Sequence, residues 1–138
     1  MVDCVFCEII KNGDTEEDTI FEDDKIMVIL DKDWAVKGHT LVIWKEHFEN
    51  ASELPIKNFL YFSEIVHKTE KSLLKVFNAD RSILLKSGGL VSHFHLHIYP
   101  VKKETDWGTI KDIFDKKRRY DFNPKEKEEL ILHLKEYL

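Results

Sequence analysis

The segment from residue 93 to residue 99 constrains the fold of this chain more than any other part, because histidines alternate with apolar residues along it. Successive side chains of a β-strand point to opposite faces of a sheet, so the alternation predicts a strand with two chemically different faces. The apolar face can close a hydrophobic core. The other face carries three imidazoles, from His93, His95 and His97.

Three imidazoles about 6.6 Å apart along one strand are suited to two kinds of chemistry. All three can bind one metal ion, since imidazole is a common zinc ligand. Alternatively, one ring can attack an anionic substrate while its neighbours hold that substrate. Neither role is a packing requirement, so the row indicates function, and its surroundings must decide which.

The rest of the chain predicts an α+β fold with a mainly antiparallel sheet. Apolar residues recur every three or four positions from residue 55 to 77, as in a long amphipathic helix. A second helix is predicted from 124 to 137, with Asn123 as its N-cap and Pro124 in its first turn. Strands are predicted at 19–21, 25–30, 39–44, 82–85 and 93–99, the last two joined by a glycine-containing loop.

Length and charge limit the kind of protein. A chain of 138 residues fits one domain, which we expect to span residues 1–138. Charged residues interrupt the first thirty positions, which is atypical of a signal peptide or a membrane span, so we expect a cytoplasmic protein with no membrane partner. A formal net charge of −5 argues against binding of nucleic acid by broad phosphate neutralisation.

The two cysteines, Cys4 and Cys7, have the spacing of metal ligands. Two thiolates three residues apart can share one zinc ion but need two further ligands. A redox pair and two unligated thiols are the alternatives, although the βαβ pattern that surrounds thioredoxin-like pairs is not predicted here.

Taken together, these segments resemble the histidine-triad superfamily. Its signature is three histidines separated by single apolar residues and followed by two apolar residues. The resemblance runs from about Cys4 to Pro100. It includes the Cys-x-x-Cys pair, IFEDD at 20–24, GHTLVI at 38–43 and KEH at 45–47. It implies a histidine-triad-like, mainly antiparallel five-stranded sheet with one long helix and a C-terminal helix.

The resemblance also implies a reaction. The residue that matches the family nucleophile is His95, which would attack an α-phosphorus and form a nucleotidyl-histidine intermediate. His97 would serve the phosphate and the leaving group, and His39 would lie in the same pocket. A neutral imidazole is a good nucleophile and, once phosphorylated, a good leaving group, so one hard displacement becomes two easier ones.

Two further positions match nucleotide-binding residues of the family and a third departs from its pattern, and the resemblance implies a purine nucleotide or nucleotide conjugate as ligand. Asp31 matches the acid that binds the ribose hydroxyls, and Ile29 matches a position in contact with the base. Gly89 stands where family members commonly carry a phosphate-binding glutamine.

Within the superfamily, a histidine after the third strand and the first triad histidine complete such a cysteine pair. The matching residues are His47 and His93, which implies a structural zinc held with Cys4 and Cys7. A closed tetrahedral site leaves no position for water, so this metal would hold the N-terminus on the sheet. Proteins of this kind usually pair through the long helix and a sheet edge, so we expect a homodimer.

The resemblance therefore implies a nucleotide hydrolase or transferase that acts on nucleoside phosphoramidates, dinucleoside polyphosphates or adenylated groups. A nucleotide-binding module with little turnover is the second hypothesis, because Leu90 stands where the family usually has a hydroxyl and leucine cannot donate a hydrogen bond. A metallohydrolase with all three triad histidines on one metal is the third.

Overall fold

The computed structural model describes residues 4–13, 16–31, 34–89, 91–115 and 123–138. Five strands form one antiparallel sheet in the order β1-β2-β3-β5-β4. The strands are β1 (Thr19–Glu22), β2 (Ile26–Leu30), β3 (Thr40–Trp44), β4 (Arg81–Leu85) and β5 (His95–Val101). All five predicted strands are present, with bounds shifted by one or two residues.

The start of the last strand is the main shift. β5 begins at His95 rather than at residue 93, because the backbone just before it bonds to the end of β3 and the loop after it. The amide of Phe94 donates to the carbonyl of Phe48 at 2.6 Å, and its carbonyl accepts from the amide of Trp44 at 3.3 Å. His93 therefore lies at the entrance to the strand.

Pairing of β3 with β5 sets the two faces of the sheet. Leu41 pairs with His97 and Ile43 pairs with His95, so both histidines share a face with these leucine and isoleucine side chains. Leu96 and Ile98 point to the opposite face and pack with the main core, as the alternation predicted.

Two helices cover the main-core face. The long helix α2 (Ile56–Val76) begins after Pro55 and buries Phe62, Ile65 and Leu73. Beside it lies α4 (Pro124–Lys135), which begins as predicted: Asn123 Oδ1 accepts from the amide of Glu126, and proline occupies the first helical position. This helix ends at 135 rather than 137.

Two helices that the sequence reasoning missed pack on the histidine face. They are α1 (Val5–Asn12), capped by Cys4 and ended by Gly13 at φ 72°, and α3 (Trp107–Phe114), capped by Asp106. The fold is α+β with a five-stranded antiparallel sheet, one long helix and a C-terminal helix, which confirms the predicted class. Within the described ranges, no helix combines the length and apolar content needed to cross a bilayer.

Candidate functional site

Helices α1 and α3 cover different parts of the histidine face of the sheet, and His95 and His97 lie between these two parts. Phe6 of α1 contacts the His95 ring edge-on at 4.7 Å between centroids. Phe114 of α3 contacts Tyr99 in a similar way at 5.8 Å. The two histidines lie between these helix contacts, where His95 is 4% exposed and His97 is only half-buried. His97 is therefore the more accessible ring of the pair.

A chain of ring-nitrogen contacts links four residues and ends on a backbone carbonyl. The Nδ1 atom of His95 lies 2.6 Å from the carbonyl oxygen of His93, and its Nε2 lies 3.2 Å from Nε2 of His97. On the far side, His97 Nδ1 lies 2.9 Å from Nε2 of His39. The carboxylate of Asp31 approaches this His39 nitrogen at 3.7 Å.

The backbone carbonyl fixes the direction of these hydrogen bonds. It can only accept, so His95 Nδ1 donates to it and the Nε2 of that ring carries the lone pair. The N–H between the two Nε2 atoms then belongs to His97, whose Nδ1 accepts from His39. The network assigns to His95 the tautomer that a nucleophile at Nε2 requires.

Burial also keeps His95 neutral. Desolvation lowers the pKa of His95, and the nearby Lys86 ammonium lowers it further. The hydrogen bond to the His93 carbonyl and the charge of Asp31 act in the opposite direction without reversing the shift. An uncharged imidazole with an unprotonated Nε2 is the form that attacks an electrophile.

Gly38 places His39 directly before β3, which begins at Thr40. Its φ of 89° lies in the left-handed region that favours glycine, and the His39 amide donates to the carbonyl of Val36 at 3.1 Å. The His39 ring stacks on Tyr99 at 4.2 Å between centroids. This packing holds a buried imidazole toward His97 from a neighbouring strand.

A second cluster joins the N-terminal helix to the entrance of β5. Its four donor atoms lie within 4.8 Å of one another and come from Cys4, Cys7, His47 and His93. The two Nδ1 atoms are 3.2 Å apart. Sulfur-to-nitrogen distances are 3.4 Å for Cys4 to His93, 3.4 Å for Cys7 to His47 and 3.5 Å for Cys7 to His93.

These separations match the edges of a tetrahedral zinc site. With Zn–N of about 2.0–2.1 Å and Zn–S of about 2.3 Å, the expected edges are about 3.3 Å between nitrogens and about 3.6 Å between sulfur and nitrogen. Desolvation and the neighbouring Cys4 raise the pKa of the Cys7 thiol, an unfavourable environment for a thiolate that a bound cation would relieve. The residues present therefore fit zinc.

His93 connects the two clusters. Its Nδ1 faces the cysteines, and its Nε2 donates to the carbonyl of Trp44 at 2.5 Å. Its own backbone carbonyl accepts the hydrogen bond from His95 Nδ1. The Phe6 ring touches both imidazoles edge-on. Within the described residues, the metal-donor clusters separate His93 from His97, an arrangement that does not support a single ion on all three triad histidines.

The remaining candidate residues lie in different surroundings. Ile29 is 4% exposed and packs in the cluster beneath α1. Gly89 is exposed, and its amide donates to Ser87 Oγ at 3.3 Å. Leu90 lies outside the described residues. Lys86 is exposed and donates to Asn50 Oδ1 at 3.2 Å.

Sequence reasoning missed Phe6 and Tyr99 as parts of the site. Signals for their surroundings were present: apolar residues at 5, 6, 9 and 10 before Gly13 predict α1, and Asp106 before residues 110, 113 and 114 predicts α3. The ring contacts themselves have no local signal, since they depend on how each helix docks.

Comparison with known proteins places these features in a family context. The HIT domain model matches residues 12–104. An uncharacterized HIT-like protein of Methanocaldococcus jannaschii is 35% identical over 112 residues, which cover 78% of this chain and 85% of that protein. Adenylylsulfatase HINT3 of Arabidopsis thaliana is 33% identical over 109 residues, which cover 75% of this chain and 54% of that protein.

A solved structure extends the similarity to nearly the whole fold. The crystal structure of a hypothetical histidine triad nucleotide-binding protein from Sulfolobus tokodaii superimposes with a TM-score of 0.77 at 29% identity. The similarity covers 97% of this chain and 91% of that one.

Proposed function

The chain belongs to the HIT family, and on that premise we propose that it cleaves nucleotides at the α-phosphate through a covalent nucleotidyl intermediate on His95. Membership supports a nucleotide hydrolase or transferase in general terms. The observation that carries the specific proposal is the pair of contacts made by the His95 ring. Its Nδ1 is held by the His93 carbonyl, and its Nε2 faces His97.

The reaction follows from these contacts in two displacements. The lone pair of His95 Nε2 forms a bond to the α-phosphorus, and the bond from phosphorus to the leaving group breaks with its electron pair on the departing atom. His97 Nε2–H gives its proton to that atom. Water then attacks phosphorus and returns a proton to His97, while the N–P electron pair goes back to His95.

Nearby residues would bind the nucleotide and hold the acid. The half-buried carboxylate of Asp31 can accept hydrogen bonds from both ribose hydroxyls. His39 positions His97 through their shared hydrogen bond. We assign Ile29 to the base and the exposed Gly89 to the phosphate oxygens, and we propose a purine nucleotide or conjugate as the ligand.

We further propose a structural zinc on Cys4, Cys7, His47 and His93. When bound, the ion would supply a fixed link between α1 and the start of β5. The chain's own groups do the positioning: the Trp44 carbonyl orients the His93 ring, and the His93 carbonyl orients His95.

A cytoplasmic homodimer without a nucleic-acid partner completes the proposal. β4 lies at one edge of the sheet, and the exposed side chains of Leu84 on that strand and Leu60 on α2 favour pairing of two copies across this edge. Light scattering of the zinc-loaded protein should give twice the monomer mass. A monomer at micromolar concentration would contradict this part of the proposal.

Turnover by matched variants tests the reaction. We expect the wild type to hydrolyse adenosine phosphoramidate, diadenosine polyphosphate or adenylyl sulfate, the last suggested by the name of the Arabidopsis relative. His95→Ala should lower kcat by at least about 10³-fold, because it removes the nucleophile. His67→Ala, at an exposed position on α2, is the matched control and should leave kcat unchanged.

Two results would contradict the proposal. Equal turnover by His95→Ala would remove the covalent role of that ring. Tight binding of AMP without turnover of any of the three substrates would favour the nucleotide-binding module instead. A mass increase of one nucleotidyl group on the wild type, and none on the variant, would support the intermediate directly.

A further inference from the structure

A second set of metal donors lies within the hydrogen-bonded chain itself. Asp31, His39 and His97 each present one donor atom, and the three atoms lie within 4.8 Å of one another. They are separate from the four donors assigned to the structural zinc. Their proposed roles in catalysis involve no metal, so the binding of a metal ion by these three residues would be a separate property of the site.

The spacing suits three neighbouring ligands on one side of a metal ion. Donor atoms about 2.1 Å from a metal are about 3.0 Å apart in octahedral geometry and about 3.4 Å apart in tetrahedral geometry. His39 Nε2 and His97 Nδ1 are 2.9 Å apart, and Asp31 Oδ2 lies 3.7 Å from the same His39 nitrogen. A small movement of the carboxylate would bring all three atoms to bonding distance.

Donor chemistry and burial indicate the class of metal. Two imidazoles and one carboxylate suit divalent transition metals such as Zn²⁺, Co²⁺ and Ni²⁺, whereas Mg²⁺ and Ca²⁺ prefer sites built from oxygen. The carboxylate supplies the negative charge. His39 is buried, while His97 and Asp31 are half-buried, so an ion could reach the three donors from the accessible side.

We propose that Asp31, His39 and His97 form a second, exchangeable transition-metal site, and that its occupation inhibits the enzyme. His39 Nε2 must first give up its proton, either to solvent or to Nδ1 of the same ring by a change of tautomer. A bound ion can then take this Nε2 lone pair together with the Nδ1 lone pair of His97. It also takes the carboxylate proposed to bind ribose. Metal and nucleotide therefore compete for Asp31, an effect that rests on the proposed function.

Metal stoichiometry tests the site without any turnover. Zinc-loaded protein is dialysed against excess Zn²⁺ and its metal content is measured by mass spectrometry. We expect two equivalents in the wild type and in His67→Ala, but one in His97→Ala. Asp31→Asn, a milder variant, should weaken binding of the second equivalent by at least about tenfold. Excess Mg²⁺ should not displace it.

A cobalt spectrum identifies which site is filled. Co²⁺ bound by thiolates gives intense absorption, while an ion held by imidazoles and a carboxylate gives only weak bands. The second equivalent of Co²⁺ should add only weak bands, which should be missing in His97→Ala. One equivalent in the wild type, or two in His97→Ala with native circular dichroism, would overturn the site.

Inhibition is measured last, and its failure differs from failure of the proposed function. If the wild type turns over nucleotide, excess Zn²⁺ should raise KM and a weak chelator should reverse the effect. Unchanged or faster turnover with the second site filled would refute the inhibitory role. If no substrate is turned over, displacement of the second equivalent by AMP supports the competition, and simultaneous binding overturns it.

Discussion

Replacement of Gly38 by alanine should destabilise the protein strongly, because two separate features require glycine there. Its φ of 89° is strained for any residue with a Cβ. A Cβ atom at this position would lie 2.7 Å from Phe77 Cε2 and 3.0 Å from Pro100 Cγ. Both neighbours are ring atoms, so at least one of these rings must shift to admit the added methyl group.

The two contributions can be estimated separately. Left-handed backbone costs an alanine about 1–2 kcal/mol, and overpacking of a filled site costs about 1–3 kcal/mol. We expect Gly38→Ala to lower the free energy of unfolding by about 2–5 kcal/mol. With an unfolding entropy of about 2.1 cal/mol/K per residue over 138 residues, this corresponds to a Tm lower by about 7–17 °C.

Gly13 supplies the matched control for thermal and urea unfolding of the zinc-loaded protein. Its φ is 72°, yet a Cβ there would meet nothing within 4 Å. Gly13→Ala should therefore lose only the backbone contribution of about 1–2 kcal/mol. In a double-mutant cycle, Phe77→Leu should restore about 1–3 kcal/mol to Gly38→Ala. Equal losses for the two glycine variants, with no coupling to Phe77, would refute the steric reasoning.

Two further predictions concern the zinc cluster and pH. After dialysis without added metal, Cys7→Ser should lose the structural zinc, and its free energy of unfolding should fall by at least about 3 kcal/mol. Val5→Ser, at an exposed position on the same helix, should keep its zinc and its stability. One full equivalent of zinc in Cys7→Ser would contradict the ligand assignment. Burial raises the pKa of Asp23, but hydrogen bonds from Tyr61 and from the amides of Lys25 and Ile26 outweigh burial and hold this pKa below its usual value. Its stabilisation is therefore present above the unfolded pKa of about 3.9 and lost as pH falls through the lower folded pKa. In urea unfolding from pH 7 to pH 2, the free energy of unfolding of Asp23→Asn should be lower than that of the wild type at pH 7 and equal to it at low pH. Asp24→Asn, an exposed neighbour in sequence, is the control. A difference between Asp23→Asn and wild type that stays constant with pH would contradict the reasoning.

Much of the fold could be predicted because its signals are local. Alternation along β5 placed Leu96 and Ile98 in the core, and the 3.6-residue period of α2 predicted its length to within a residue at each end. Asn123 and Pro124 predicted the start of α4, because capping is chemistry between residues three positions apart. The short helices α1 and α3 were missed although each has a cap signal, since eight residues give a weak periodic pattern.

The sequence by itself determined the secondary structure around the site and the residue types available for chemistry. Only the tertiary structure decided which of them meet. The register of β3 on β5 brings His39 within 2.9 Å of His97, and the backbone bond between Phe94 and Phe48 brings His93 to His47 across 46 residues of chain. Such meetings depend on strand register and helix docking, which balance packing over the whole molecule and leave no periodic trace in a local stretch of sequence.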